Sequence, residues 1–252
     1  MSKIKLVHEV RAVKSKKELA NIIKAQRISE KVLQYTVAKL RTGISEIEAT
    51  NLIKKKFIEL GAPILSFTPI VAFGENSANI HHINPTKRKL KKPARRGRAD
   101  IVMLDFGCTV NHYCSDMTRT YFWGEPSRRQ KKVYLDVLKV MNLTLSRLKK
   151  GERRCKIIDK AARGYLNKKY GKRNFLHGLG HGVGTVIHEW PNFKPKSEDI
   201  LPAGCVMTVE PGLYFKRLGG VRIEDIVLIT SKGYQNLTKA PKSLESIILS
   251  PK

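Results

Sequence analysis

Residues 43–61 read GISEIEATNLIKKKFIELG, and residues 151–171 read GERRCKIIDKAARGYLNKKYG. Both stretches open and close on glycine, both space apolar residues as a helix does, and they lie about 108 positions apart. A second pair agrees with the first: the strand-like run ending in Asp105-Phe106-Gly107 has a counterpart, displaced by 105, ending in Glu210-Pro211-Gly212. The chain of 252 residues is therefore read as two related halves, each with helices and a strand pair. Each half places carboxylates at similar points, Asp105 and Asp116 in the first and Glu210 and Glu224 in the second. Four carboxylates brought together by a pseudo-twofold cannot all stay ionised without cations beside them.

Outward from these stretches the elements follow from pattern. From Ser15 to about Leu40 apolar residues recur at spacings of three and four, an amphipathic helix. Ser45 with Glu48, and Ser127 with Gln130, have capping-box spacing and open helices that run to Gly61 and to Lys150. Residues 100–106, 118–123, 205–210 and 221–230 are rich in β-branched and aromatic side chains and read as strands. Helices and hairpins in mixed order make the fold class α+β rather than a repeating βαβ sheet. Tyr121, Phe122 and Trp123 are expected to pack a core, and Trp190 either lines the substrate side or caps its loop.

The composition, 41% hydrophobic and 28% charged, excludes a disordered tail or a collagen-like repeat. Lysine and arginine number 49 against 21 acids, a formal charge of +28 that suits nucleic acid, an anionic membrane surface or acidic partners. Its densest stretch, KRKLKKPARRGR at 87–98, is read as a solvated loop before a strand, with nucleic-acid affinity a second role to test. No apolar run approaches the ~20 residues that span a bilayer, and the first residues have no signal-peptide pattern, so a cytoplasmic location is expected. Cys108, Cys114, Cys155 and Cys205 form no CxxC pair and are expected to be reduced, packed thiols.

The remedy for clustered carboxylates is a pair of divalent metals ~3.5–4 Å apart, held by bridging and terminal carboxylates with one or two imidazoles. In VRIEDIVLIT, period-two alternation puts Arg222 and Glu224 on one face and Val221, Ile223 and Asp225 on the other, which favours Glu224 over Asp225 as ligand. By the same rule Val206, Thr208 and Glu210 share a face. HGLGHGVGTVIHEWP supplies His177, His181 and His188 among four glycines. A zinc site built from these three alone would leave the carboxylates unexplained, and His188-Glu189 lacks the HExxH spacing of the zincins.

The runs DFGCTVNHYCSDMTRTYFWG, FLHGLGHGVGTVIHEWP, MTVEPGLYF and GGVRIEDIVLIT resemble the successive motifs of the M24 metallopeptidases with the pita-bread fold. The branch they resemble is Xaa-Pro aminopeptidase (aminopeptidase P) and prolidase, over about Lys14 to Ile248. The resemblance implies two pseudo-symmetric halves around a curved antiparallel sheet. Residues 15–252 would form a single catalytic domain, and residues 1–14 a short segment left from a linker. Two-domain members carry a further N-terminal domain that helps to close the substrate site and form the oligomer; this chain is read as starting after it, which leaves substrate length and quaternary state open, with a homodimer one expectation.

Carried over by position, Asp105, Asp116, His181, Glu210 and Glu224 match the family's metal ligands, with Asp116 and Glu224 bridging. Counting back from Pro85 in NSANIHHINPT selects His82 as the first active-site histidine, with His81 the alternative. His188 matches the second, His177 a substrate-side histidine, and Arg222 the arginine beside the last ligand. The implied reaction is hydrolysis of an N-terminal Xaa-Pro bond in a peptide, with Glu210 moving the proton of the attacking water and His82 and His188 donating to the substrate. Oxygen-rich ligation with one imidazole suits Mn²⁺, with Co²⁺, Fe²⁺ or Zn²⁺ as substitutes. Two rivals share the fold: methionine aminopeptidase, whose single-domain format this length matches, and a catalytically silent member that binds nucleic acid or protein.

Overall fold

Three helices begin at side-chain caps, and the caps set their bounds. In the computed structural model, which describes residues 3–92 and 98–251, Ser15, Ser45 and Ser127 open α2 (Lys16–Lys39), α3 (Glu46–Glu59) and α4 (Arg128–Lys149). Each serine accepts from the backbone N–H three residues on, and Glu18, Glu48 and Gln130 return the bond to the cap backbone. Such caps contribute about 1 kcal/mol each. Helix α1 (Lys3–Ala12) precedes them and α5 (Cys155–Tyr170) follows α4. The repeated stretches form α3 and α5, and Gly61 and Gly171 after them take φ of +73° and +79°, a region open to glycine.

The strands fall into two larger sheets. In the first half β1 (Ile70–Phe73), β2 (Asp100–Asp105) and β5 (Thr118–Trp123) pair antiparallel, and the terminal β13 (Ile248–Leu249) joins β5 in parallel. A small hairpin, β3 (Thr109–Val110) with β4 (Tyr113–Cys114), links β2 to β5. In the second half β6 (Gly180–Gly182), β7 (Glu189–Phe193), β8 (Val206–Val209), β11 (Asp225–Thr230) and β12 (Gly233–Asn236) form an antiparallel sheet in the order β12-β11-β8-β6-β7. A hairpin of β9 (Gly212–Phe215) and β10 (Gly219–Arg222) lies between the halves. Helix α3 packs on β1 and α5 on β7, the equivalent places in the two halves. Two similar halves of mixed helix and sheet agree with the expected pita-bread architecture.

The expected single strand from Val221 to Thr230 is two strands, interrupted at Ile223 and Glu224. There the chain leaves β9 and crosses to β8: the Ile223 N–H donates to Pro211 O at 3.3 Å and the Glu224 N–H to Thr118 O at 3.1 Å. That last bond stitches the two sheets together at the centre of the molecule. Tyr121, Phe122 and Trp123 are buried as expected, with Phe122 edge-on to Tyr134 at 5.9 Å. All four cysteines are free and buried. Of the basic stretch 87–98, residues 93–97 lie outside the described residues; Lys91 and Lys92 before them are exposed.

Candidate metal centre

The residues singled out for chemistry come from strand ends that converge where the sheets meet. Asp105 ends β2, Asp116 lies just before β5, His181 is the middle residue of β6, Glu210 follows β8, and Glu224 occupies the crossing between β10 and β11. Asp105, Asp116, His181 and Glu224 are buried, and all five line one cavity of about 470 Å³. Asp116, His181 and Glu224 each offer a ligand atom within 4.8 Å of one another. His181 Nε2 lies 3.3 Å from Glu210 Oε1 and 3.6 Å from Asp116 Oδ2.

The glycines around His181 are required by close packing of backbone. A Cβ on Gly180 would sit 2.1 Å from Thr208 O, and one on Gly182 2.5 Å from Trp190 O. With β6 held this tightly between β8 and β7, the His181 N–H donates to Thr208 Oγ1 at 2.9 Å, and Nδ1 lies 3.0 Å from Gly182 O. A carbonyl only accepts, so Nδ1 carries the proton and Nε2 presents its lone pair to the carboxylates. Thr208 then donates to Glu210 Oε1 at 3.2 Å, so the expected shared face of Thr208 and Glu210 is realised.

Arg222 is the centre's own cation. It donates to Asp105 Oδ2, to Tyr214 OH at 2.8 Å and to Thr118 Oγ1 at 3.0 Å. Thr118 in turn donates to Glu224 Oε2 at 2.7 Å. Tyr214 OH lies 2.8 Å from His177 Nε2, and His177 Nδ1 faces Gly178 O at 2.7 Å, so the phenol donates to Nε2. Arg163 on α5 fixes this loop by donating to the carbonyls of Phe175 and His177, at 3.0 and 2.8 Å. His188 packs edge-on to His181 with ring centroids 4.3 Å apart and lines the cavity.

One histidine differs from expectation. Counting from Pro85 selects His82, yet His81 stands on the cavity wall, and His82 turns inward to Glu46 at 2.9 Å. The buried Glu46 carboxylate also accepts from the N–H of Phe73 and the N–H and hydroxyl of Thr86, an anchor that ties the 80s segment to α3. His82 completes that anchor, which is why the neighbouring imidazole faces the cavity.

One arginine does not neutralise four carboxylates. Burial, then the charges of Asp105 and Glu210, raise Asp116 well above the ordinary carboxylate range. Burial, then Asp116, Glu210 and Asp105, do the same to Glu224, and burial with Asp105 outweighs Arg222 in raising Glu210 to about 7. Burial lowers His177 to about 3 and His188 to about 4, so both rings are neutral at pH 7. Asp105 Oδ1 is buried with no hydrogen-bond partner. One unpaired carboxylate oxygen, crowded acids and a lone pair on His181 together fit divalent cations: the donors are mostly hard, and their excess negative charge is what such ions offset.

Sequence reasoning missed the hydroxyls of Thr118, Thr208 and Tyr214, and it missed Arg119. This buried side chain lies behind the centre, donating to the carbonyls of Thr118 and Glu224 at 2.9 and 2.6 Å and to Asp225 at 2.7 Å. A signal existed in TRTYFW, where alternation along β5 puts Thr118 and Thr120 on one face and Arg119 on the other, inside an apolar strand.

Residues 20–231 match the family model of metallopeptidase family M24. The chain belongs to this family. An uncharacterised peptidase of Staphylococcus aureus is 36% identical over 236 residues, 94% of this chain and 65% of the relative. An Xaa-Pro dipeptidase of Pyrococcus furiosus is 38% identical over 240 residues, 95% of this chain and 66% of its own length. Among solved M24 structures, the Xaa-Pro dipeptidase from Bacillus anthracis superposes with a TM-score of 0.88 at 35% identity, over 97% of this chain and 66% of that one. The X-Pro aminopeptidase from Thermotoga maritima gives 0.87 at 33%, over 98% and 66%. The chain thus spans about two thirds of the length of these M24 relatives. No described helix is long and apolar enough to cross a membrane.

Proposed function

We propose that this M24 protein is a metal-dependent exopeptidase that hydrolyses the bond between an N-terminal residue and a following proline. The observation that carries this reading is the convergence of Asp105, Asp116, His181, Glu210 and Glu224 on one cavity, with more negative charge than Arg222 can offset. Membership of a metallopeptidase family and Xaa-Pro-directed relatives in both comparisons support it. The same intact set of carboxylates speaks against a catalytically silent member of the fold, and the relatives' names speak against methionine aminopeptidase.

Asp105, Asp116, His181, Glu210 and Glu224 would hold divalent ions in this cavity. Bound there, the ions, for which Mn²⁺ is the best match to these donors, would supply charge that acidifies water and polarises a carbonyl. The remaining work belongs to the chain. Glu210, on the cavity wall, accepts the proton of the attacking water at a carboxylate oxygen and delivers it to the leaving nitrogen. His188, and His81 in place of the expected His82, stand on the wall as donors to the substrate carbonyl oxygen. Arg222 holds Asp105 and, through Tyr214, holds His177 at the substrate side. Ile70, Ile80, Ile83 and Ile187 give the cavity apolar lining suited to a pyrrolidine ring.

The test uses metal-stripped protein reloaded with Mn²⁺ and given Xaa-Pro dipeptides, Xaa-Pro-Yaa tripeptides and Met-Ala-Ser, with products identified by mass. Release of the residue before proline, abolished by Glu210→Gln, is the expected result. Release of methionine alone would transfer the assignment to methionine aminopeptidase, and no cleavage with any metal would favour the silent binding protein.

A further inference from the structure

Residues 11–14, expected from the sequence to end a linker, are pinned to the second sheet. The Lys14 N–H donates to Gly204 O at 2.9 Å, Val13 bridges Cys205, and α1 packs on β7. The Lys14 side chain is only 2% exposed. Its ammonium has three N–H bonds to give and meets three acceptors, Arg11 O at 2.7 Å, Ala12 O at 3.1 Å and Glu189 Oε2 at 3.1 Å. The buried Glu189 spends its other oxygen, Oε1, on the turn between β6 and β7, accepting from the Val186 N–H at 3.2 Å and the Thr185 hydroxyl at 3.4 Å. Gly184 makes room for this carboxylate, since a Cβ there would lie 2.3 Å from Oε2. Burial raises the Glu189 carboxyl, but Lys14, Arg11 and the Val186 N–H outweigh it and hold it below the ordinary carboxylate range.

His188 is the residue immediately before Glu189. Among the described residues no hydrogen bond holds its ring, which rests on His181 with centroids 4.3 Å apart. Its place on the cavity wall therefore follows from the backbone of the turn, and Glu189 ties that turn both to itself and to the N-terminal segment. We propose that Lys14 is a positioning residue for the reaction: its buried ion pair with Glu189 fixes the turn that sets the His188 ring on the cavity wall. The role of His188 rests on the exopeptidase reading above. Without Lys14, the buried carboxylate keeps only Arg11, whose side chain is 44% exposed and screened by water. A buried charge left so poorly paired is drawn toward solvent, and Glu189 cannot move outward without moving the backbone of His188. Displacing a reacting or donating group by ~1 Å can cost about 10²-fold in rate. Neither Lys14 nor Glu189 is among the described residues lining the cavity, whereas Ile187 and His188 of the same turn are, so any effect on turnover passes through the turn.

The experiment measures Ala-Pro hydrolysis by Mn²⁺-loaded wild type, Lys14→Met and Lys14→Arg, each with His188 intact and with His188→Ala, normalised to folded protein. Lys14→Met is expected to lower kcat roughly 20-fold with KM within about twofold, and Lys14→Arg to recover most of the loss. In the His188→Ala background the same substitution should cost less than about twofold, because the group it positions is gone. An equal loss in both backgrounds, or an unchanged kcat, would overturn the proposal and leave the peptidase standing. A second measurement needs no activity. In histidine-labelled, metal-free protein the NMR cross-peak between the His181 and His188 rings should be present in wild type, lost in Lys14→Met and kept in Lys14→Arg. That pattern in a wild type that cleaves nothing would sustain the positioning of His188 and sink the peptidase; a cross-peak indifferent to Lys14→Met would sink the proposal whatever the activity. Glu189→Gln, which keeps the shape of the side chain without its charge, carries the same two measurements where Lys14→Met does not fold.

Discussion

Glu224 and Asp225 are chain neighbours, both buried, and their environments drive them in opposite directions. Glu224 faces Asp116, Glu210 and Asp105, and burial with those charges raises it far above the usual range. Burial would raise Asp225 too, but Arg119, Lys242 and Asn236 outweigh it and hold it below the ordinary value. One side of the sheet is neutralised by cations the chain itself supplies, and the other leaves its negative charge for something outside the chain. Covalent adjacency is irrelevant here; what separates a structural acid from a functional one is whether the fold provides its counter-charge.

The largest test of this contrast is Glu224→Gln. It removes one of the proposed metal ligands, and turnover is expected to fall by about 10³-fold, with weakened binding of Mn²⁺ seen by calorimetry. Retained activity with unchanged metal binding would show that Glu224 belongs with Asp225. The converse substitution is Arg119→Met, which strips the main partner from Asp225 and the donor from the carbonyls of Thr118 and Glu224. A loss of about 3–5 kcal/mol in urea unfolding of the metal-free protein is expected. A loss under about 1 kcal/mol would mean that Lys242 suffices alone.

The two sides should also titrate oppositely. Groups whose folded pKa is raised bind more protons folded than unfolded, so they cost stability as pH rises. For Glu210 that window runs from 4.5, its unperturbed value, to about 7. Metal-free protein is therefore expected to lose melting temperature across this window, by a few degrees. Saturating Mn²⁺ should abolish the decline, since the ions supply the missing charge. Asp225 works the other way, its stabilisation being lost on acidification below its unperturbed 3.8. A metal-free melting temperature that is flat or rising between pH 4.5 and 7 would contradict the crowding of unpaired acids at the centre.

Much of this site could be read from one dimension because its ligand-type residues sit at strand ends, where motif order and period-two alternation speak directly. Thr208 and Glu210 share a side, and so do Arg222 and Glu224 despite the break between them. What pattern could not supply is the identity of distant partners. Arg119 meets Asp225 across 106 positions, and Thr118 meets Glu224 across the same distance. The choice between His81 and His82 turned on Glu46, 36 residues earlier, whose claim on one imidazole leaves the other to the cavity. His81→Ala is accordingly expected to lower kcat by about 10²-fold with little change in melting temperature. His82→Gln should lower stability by about 1–2 kcal/mol and leave turnover per folded molecule largely intact; the reverse result would restore His82 to the site.

The smallest effect sharpens the boundary between the two kinds of region. Tyr214 is buried, its hydroxyl accepting from Arg222 and donating to His177, so it couples the fold's own cation to the substrate side. Burial pushes its phenol up to about 12, so it remains a neutral donor throughout the working range. Tyr214→Phe deletes one neutral hydrogen-bonding atom and leaves every charge in place. Turnover should therefore fall only about fivefold, corresponding to ~1 kcal/mol, with the pH profile unshifted. Because Arg222 still holds Asp105, Mn²⁺ affinity should be unchanged. A loss comparable to Glu224→Gln would mean that the phenol touches the reacting atoms, and the line between positioning and chemistry would have to be redrawn to include it.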